Sequence, residues 1–467
     1  MVFETLRSPG LAHLSYLVGD ADAGSAVVID PRRDVEEYLE KARAKGVRID
    51  YVVETHIHAD FVSGGPELAS RTGAKLLTGR SDEISYRHEA MDDGDSFEVG
   101  PLQFRALQTP GHTPEHISLV VSGGKGSKEP WGVFTGDTLF AGEVGRPDLL
   151  GREQEQALAK ELYHSLHAKL LALEDGVIVY PSHGEGSPCG GSIGDRDTTT
   201  IGYERRHNPK LAAMSEEDFV RLVLEGASEQ PAPSYYPRMK KLNAKGVVGG
   251  LPDVRPLQPQ EVADLSKQEG VLLLDARPYT AFGGAHIPGA LNVALQEEFP
   301  IWCGWLVKPE HRVVLVLNDP GDLEEAQTHL FRIGIDRIEG YLAPGMPAWF
   351  AKGLPIQSTA QIDVHRLRDR IGEIQLLDVR RQDEWREGRL PTAVHRYLPE
   401  VPNLDGQLDR RKPVATYCES GYRASIAASL LERMGFERVH NVPGSMDAWR
   451  SAGFEIVPDP TGSVKGP

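Results

Sequence analysis

The segment "VVETHIHADFVSGG" (52–65) places two imidazoles, His56 and His58, one residue apart after an apolar run, with the carboxylate of Asp60 two residues further on. Neutral imidazole and carboxylate are ligands for zinc and for iron. More ligand types follow: His112 and His116 in "TPGHTPEH", Asp137 in "FTGDTLF" and His183 in "VYPSHGEG". Any one of these histidines could serve an ordinary loop hydrogen bond. Four segments in order, each closing on a ligand type, point instead to convergence on a metal. A different chemistry stands near the other end of the chain. In "VATYCESGYRASIAASLLERMGF" (414–436) an apolar strand delivers Cys418, a tight loop follows, and Arg423 leads into a helix. Loop amides, a helix N-terminus and a guanidinium all stabilise a thiolate or persulfide anion, so Cys418 is expected to be the nucleophile and Arg423 part of its anion cradle.

A layered fold must position these groups. Residues 14–137 read as short strands separated by turns, among them "LSYLVGD", "SAVVID", "DYVVETH", "KLLTG", "LQFRALQT", "ISLVVSG" and "WGVFTGD". Helices are expected at about 35–45, 63–72 and 154–174. Residues 205–257 read as a helix followed by a proline- and glycine-rich connection. Beyond lies an internal repeat. "LLLDARPYTAFGGAHIPGALNV" (272–293) aligns with "LLDVRRQDEWREGRLPTAVHRY" (376–397), and "RIGIDRIEGYLAPGMPAWFAKGLPI" (332–356) aligns with "RMGFERVHNVPGSMDAWRSAGFEI" (433–456). Each copy opens with a buried-type strand ending in Asp-x-Arg and closes with a strand, a Pro-Gly turn and a short helix carrying a tryptophan.

At 467 residues the chain is too long for one core. A composition of 25% charged and 40% hydrophobic residues fits a soluble globular protein, and a formal charge of −17 disfavours nucleic acid or an anionic membrane as partner. No run approaches the ~18 apolar residues of a membrane helix, and the opening segment lacks the basic-then-apolar pattern of a leader, so a cytoplasmic location is expected. Three scattered cysteines, Cys189, Cys303 and Cys418, are too few for a disulfide framework. Cys303, between two tryptophans, reads as a packing residue. Cys189 follows His183 on a glycine-rich loop that could bring its thiol toward the metal.

The series "THIHADF", "PGHTPEH", "TGD" and "PSHG" resembles the metallo-β-lactamase fold over about residues 1–240, and within it the persulfide dioxygenases, which are similar to glyoxalase II. The resemblance implies an αββα sandwich and one Fe(II) per chain held by His56, His112 and Asp137. Two neutral imidazoles and one carboxylate leave three positions open on an octahedral ferrous ion, which suits dioxygen beside a substrate. Arg146 and Asp148, in "GEVGRPDLLG", resemble the family's loop that frames the substrate pocket, and Tyr180 is a further pocket candidate. Phe61 stands where a two-metal hydrolase of this fold would need another histidine, and it also departs from the usual dioxygenase pattern. His58, Asp60 and His183 are then expected to orient ligands or bound water through hydrogen bonds.

The Cys418 loop, with "LLDVR", "REGRLPTAV" and "NVPGSMDAW", resembles a rhodanese domain over about residues 360–460. The resemblance implies that Glu419, Ser420, Gly421 and Tyr422 bind substrate. Four residues separate Cys418 from Arg423, a smaller cradle than the five-residue spacing of the related phosphatases and one suited to sulfur. In the middle copy "VVLVLNDPGDLEEA" (313–326) occupies the equivalent place without a cysteine, and Asn318, Asp319 and Asp322 would repel a persulfide, so this copy is expected to be silent. The expected architecture is α/β: a metallo-β-lactamase-like domain (1–240), a linker (241–258), a silent rhodanese-like domain (259–358) and an active one (359–467). This order resembles bacterial persulfide dioxygenase–sulfurtransferase fusions of sulfide detoxification. It implies a small thiol persulfide (glutathione, coenzyme A or similar), O₂ and sulfite or thiosulfate as partners, and a homo-oligomer. Two other readings remain open: a glyoxalase II-like zinc thioester hydrolase with a fused rhodanese, and a non-enzymatic sulfur carrier.

Overall fold

Short apolar strands pair in sequence order through the first half of the chain. β1 (Val2–Ser8), β2 (His13–Asp20), β3 (Ser25–Ile29), β4 (Arg48–Glu54), β5 (Lys75–Gly79) and β6 (Glu89–Met91) form one six-stranded sheet. β7 (Ser96–Val99), β8 (Leu102–Gln108), β9 (Ile117–Gly123), β10 (Pro130–Gly136), β11 (Ile178–Pro181) and β12 (Thr199–Thr200) form a second, in the order β12-β11-β10-β9-β8-β7. Period-two alternation explains the layers. Tyr16 and Val18 of β2, paired with Ile29 and Val27 of β3, face Phe104, Leu119 and Phe134 of the other sheet. Leu17 and Val28, one residue out of phase, face Tyr38, Ala42 and Leu68 on helices Glu36–Ala44 and Gly65–Thr72. On the opposite outer face Val120, Val133 and Val179 pack beneath Leu162, Ile201 and Phe219, from helices Glu155–His164, Ile201–His207 and Glu216–Glu229. The result is the expected αββα sandwich.

This computed structural model describes residues 1–124, 129–212, 215–229, 231–404 and 406–458, so the last nine residues of the expected final domain lie outside the described residues. Two compact units divide the chain: residues 1–251 with Thr328–Gly334, and the remainder. Among the described residues no helix is long and apolar enough to cross a membrane.

The strand ends place the chemistry. β4, β8, β10 and β11 deliver His56, His112, Asp137 and His183 one to four residues beyond their last residues. Gly136, at a positive φ of 49°, sits where a Cβ would strike His116 Nε2, so the turn into Asp137 requires glycine. One element departs from expectation. The proline- and glycine-rich connection contains a helix, Tyr236–Lys245, with Pro237 in its first turn, where a missing amide is tolerated. The expected boundary at residue 240 falls inside it. Its Asn243 closes the metal-motif loop, donating to the carbonyls of His58 and Phe61 at 2.8 Å each and accepting from the Ser63 amide at 2.8 Å.

The second unit contains the repeat as two parallel sheets of identical order. β13 (Pro256–Leu257), β14 (Val271–Asp275), β15 (Leu291–Asn292), β16 (Arg312–Val316) and β17 (Ile338–Leu342) run β13-β17-β16-β14-β15. β18 (Ala360–Gln361), β19 (Gln375–Asp378), β20 (Val394–His395), β21 (Val414–Tyr417) and β22 (Val439–Asn441) run β18-β22-β21-β19-β20. The Asp-x-Arg pairs do the same work in both: Arg277 bonds Asp275 and the carbonyl of Ala285, and Arg380 bonds Asp378 and the carbonyl of Gly388. The tryptophans match as well, with Trp349 and Trp449 each donating Nε1 at 2.9 Å to a carbonyl six residues on.

Replacing Asn243 by alanine removes three buried hydrogen bonds, each worth about 1 kcal/mol net. Asn243→Ala is therefore expected to destabilise the first unit by about 2–3 kcal/mol in equilibrium denaturation. An unchanged midpoint would mean that the helix is not part of the site's support.

Candidate metal centre and sulfur-transfer loop

His56, His112 and Asp137 are buried and bring one ligand atom each within 4.8 Å of one another. Nε2 of His56 lies 3.6 Å and Nε2 of His112 3.4 Å from Asp137 Oδ2, an oxygen with no hydrogen-bond partner. Two ligands each ~2.1 Å from one ion, at right-angled to tetrahedral separation, stand roughly 3–3.5 Å apart. The three atoms thus fit a shared metal. The far nitrogens are already committed. Thr55 Oγ1 donates to Asp30 Oδ2 at 2.8 Å and so accepts from His56 Nδ1 at 3.0 Å, while His112 Nδ1 donates to the carbonyl of Arg146 at 3.0 Å. These partners select the tautomer that turns each Nε2 lone pair toward the common point. Burial pushes His56 well below its ordinary 6.5, with neighbouring imidazoles adding to the effect, and burial also lowers His112. Lowered in this way, both rings favour the neutral form that can ligate.

The opposite side of Asp137 is closed. Its Oδ1 pairs with His183 Nδ1 at 2.7 Å, and His183 Nε2 pairs with Asp60 Oδ2 at 2.8 Å. Burial opposes charge on this ring, but the two carboxylates outweigh it and hold the imidazolium up to about 10. Phe61 is fully buried, its ring 4.1 Å from that of His13 and 4.5 Å from that of His58. His58 turns to Asp30 at 3.2 Å and Glu54 at 3.5 Å; burial again works against its charge, and the carboxylates raise it well above 6.5. His116 stands behind Asp137: Nε2 accepts from the Asp137 amide at 2.9 Å and Nδ1 meets the Thr109 and Thr138 hydroxyls, so both nitrogens are used. Asp60, His183 and Cys189, and separately Asp30, Glu54 and His58, are two further groups of ligand types within 4.8 Å.

Arg146 grips Asp148 with two bonds of 2.7 Å and reaches the carbonyl of Pro188 at 3.2 Å, fastening the loop that carries Cys189. Cys189 is buried with Sγ 3.8 Å from the Tyr236 hydroxyl, and burial pushes its thiol well above 9. Tyr180, expected at the pocket, lies elsewhere. Strand alternation sends its ring between the sheets, 4.9 Å from Phe3 and 5.1 Å from Phe134. Sequence reasoning missed Asp30 and Thr55. The available signal was a carboxylate closing the apolar strand "SAVVID" just before Pro31; Asp30 holds a positive φ of 49° there.

At the second centre Cys418 is 1% exposed and its Sγ accepts from the Gly421 amide at 3.1 Å. Its own amide donates to Ser445 Oγ at 3.1 Å. Gly421 has φ 110°, a turn that starts helix Tyr422–Arg433. Arg423, in the first turn of that helix, is held by two bonds of 2.7 Å to Glu384, a residue that carried no sequence signal. Burial resists the charge on Glu384, but Arg423 prevails and draws its carboxyl down to about 2. Two loop side chains expected to bind substrate are committed elsewhere. Glu419 pairs with Arg380 and Arg450, and Tyr422 donates its hydroxyl to the carbonyl of Ala294 at 2.8 Å. Ser420 keeps an exposed side chain while its carbonyl accepts from the Gly444 amide. In the middle copy Asp319 accepts from the Gly321 amide and Asp322 from the Asp319 amide, so the acidic loop closes on itself.

Two outcomes follow from this geometry. A Cβ on Gly145 would collide with the carbonyl of Asp137 and stand 3.2 Å from His112 Cβ, so Gly145→Ala is expected to lower metal affinity at least ~10-fold, read as metal content after dialysis. Glu384 titrates at about 2 against an ordinary 4.5, so its contribution to stability is complete above pH 4.5 and is lost as the pH falls through about 2. Glu384→Gln should lower the thermal midpoint at pH 7, with the gap to wild type closing between those two values; a gap independent of pH would contradict the pairing.

Residues 8–183 match the metallo-β-lactamase superfamily, and residues 258–352 and 363–452 match the rhodanese-like domain. The mitochondrial persulfide dioxygenase ETHE1 of Bos taurus is 32% identical over 229 residues, 48% of this chain and 80% of the relative. A cytoplasmic hydroxyacylglutathione hydrolase of Arabidopsis thaliana is 34% identical over 171 residues, 36% of this chain and 62% of the relative. A solved metallo-β-lactamase structure from Staphylococcus aureus superposes with a TM-score of 0.66 at 33% identity, covering 73% of this chain and 98% of the other. With its strand-end ligand set followed by two rhodanese-like sheets, the chain belongs to the metallo-β-lactamase superfamily, as a fusion of a part homologous to persulfide dioxygenases with rhodanese-like domains.

Proposed function

We propose that this chain oxidises the terminal sulfur of a low-molecular-weight thiol persulfide, such as that of glutathione or coenzyme A, and passes sulfane sulfur through Cys418. The observation that carries the reading is the pairing around Asp137. One carboxylate oxygen faces Nε2 of His56 and of His112 without a partner, while the other is closed by His183 and Asp60 beside Phe61. This arrangement favours one metal with free positions over two metals. One iron(II) held by His56, His112 and Asp137 would supply the redox chemistry between dioxygen and sulfur. In the net change RSSH, O₂ and H₂O give RSH, sulfite and two protons, four electrons passing from the sulfane sulfur to dioxygen. His183 fixes the Asp137 carboxylate, the Arg146 carbonyl fixes the His112 ring, and the Arg146–Asp148 pair holds the adjacent loop.

At the second centre the Cys418 thiolate attacks the sulfane sulfur of another persulfide, releasing the thiol. Sulfite then attacks the outer sulfur of the Cys418 persulfide, giving thiosulfate and the thiolate. The Gly421 amide and Arg423 stabilise the anionic sulfur throughout. Three free cysteines suit a reducing cytoplasm, and the chemistry suits sulfide detoxification. Similarity to the Arabidopsis hydrolase favours thioester hydrolysis as a second reading. That reading needs a second metal where Asp60 and His183 bond each other and Phe61 offers no ligand atom.

Product analysis in air with glutathione persulfide separates the steps. Wild type should yield thiosulfate, Cys418→Ser sulfite at similar oxygen uptake, and His112→Ala neither, with uptake down at least ~100-fold. Thiosulfate from Cys418→Ser would sink the coupled scheme.

A further inference from the structure

The middle rhodanese-like domain, which has no cysteine at the loop equivalent to that of Cys418, meets the last domain near the Cys418 loop. Its helix Phe299–Leu306 carries Trp302 and Trp305, and both rings approach Tyr397 of the last domain at steep angles, with centroid distances of 6.4 and 6.3 Å. Trp302 Nε1 donates to Glu298 Oε2 at 2.9 Å, which fixes the indole's rotation. On the same side the Tyr422 hydroxyl reaches the carbonyl of Ala294. Tyr397 directly precedes the segment Leu398–Asn403, which packs on helix Tyr422–Arg433 at the end of the Cys418 loop, and Arg423 of that helix bonds Glu384. Trp305 and Tyr397 remain partly exposed, whereas Trp302 is buried behind them. The two domains are already fastened by other bonds, Ser425 Oγ donating to Asn292 Oδ1 at 2.7 Å and the Asn292 backbone amide donating to Ser429 Oγ at 3.1 Å, so these aromatic surfaces are not explained by docking alone.

We propose that Trp305 and Tyr397, backed by the buried Trp302, form the wall that receives the organic part of a thiol persulfide donor, so that the domain lacking an active-loop cysteine decides which carrier Cys418 accepts. Small hydrated anions such as sulfite and thiosulfate gain nothing from aromatic faces, whereas an organic carrier gains by covering them. Charge alone is a weak attractant here, because Glu384 already neutralises Arg423. The inference rests on Cys418 being the sulfur acceptor.

The test uses the full-length protein with cyanide as acceptor, comparing kcat/KM for glutathione persulfide and for thiosulfate as donors. Trp305→Ala should lower the ratio of the two, persulfide over thiosulfate, about 10-fold through KM for the persulfide, and Trp305→Phe should restore most of it. Phe350→Ala, on an exposed site of the same domain, should keep the ratio. An unchanged ratio in Trp305→Ala, whether both donors lose equally or neither does, overturns the wall while leaving Cys418 in place. Absence of transfer from either donor by wild type overturns the Cys418 reading and the wall with it.

Discussion

Pairing of buried charge at the strand ends is the constraint on which the first unit depends. Asp30, Glu54, Asp60 and Asp137 are all essentially buried, and so are the imidazoles of His13, His56, His58, His112, His116 and His183. An unpaired carboxylate there would cost several kcal/mol, so each must find its partner as the sandwich closes. The partners come from different strands: Asp137 after β10 meets His183 after β11, and Asp30 after β3 meets Thr55 and His58 after β4. Closing the sandwich therefore brings the candidate ligands His56, His112 and Asp137 together. The pairing also leaves a single carboxylate oxygen and two imidazole nitrogens facing one point, which gives the site its capacity for a metal.

The second unit separates scaffold from chemistry in two copies of one design. Both keep the Asp-x-Arg pair at the first strand's end and the tryptophan bonded to a carbonyl, since these stabilise the sheet and its last helix. They differ at the loop. Gly421 in the last domain opens a left-handed turn that aims an amide at Cys418, whereas Asp319 and Asp322 spend their carboxylates on their own backbone.

The order of ligand types was legible in the sequence because alternation marks strands and the ligands lie just beyond their ends. The repeat was legible because its structural devices are local, two to six residues across. What escaped reading depends on distance. Asp30 bonds Ser182 across 152 residues and Glu384 bonds Arg423 across 39, so in a chain with 68 acidic residues neither carboxylate stood out. Tyr180 was misplaced because closeness in sequence to His183 does not override the two-residue period of β11. Glu419 and Tyr422 lie in the Cys418 loop, but Arg380, Arg450 and a carbonyl of the neighbouring domain claim their side chains. Helix Tyr236–Lys245 was hidden by its flanking prolines and glycines.

The central claim is that one iron at His56, His112 and Asp137 carries the oxidation of a persulfide. It is tested most directly by loading the chain anaerobically with graded ferrous iron, then measuring metal content and oxygen uptake with glutathione persulfide on the same samples. Uptake should rise in proportion to iron and level off at about one per chain, as three ligands from one site require. No uptake at full iron loading, or activity that needs about two zinc ions and cleaves thioesters without oxygen, would contradict the account.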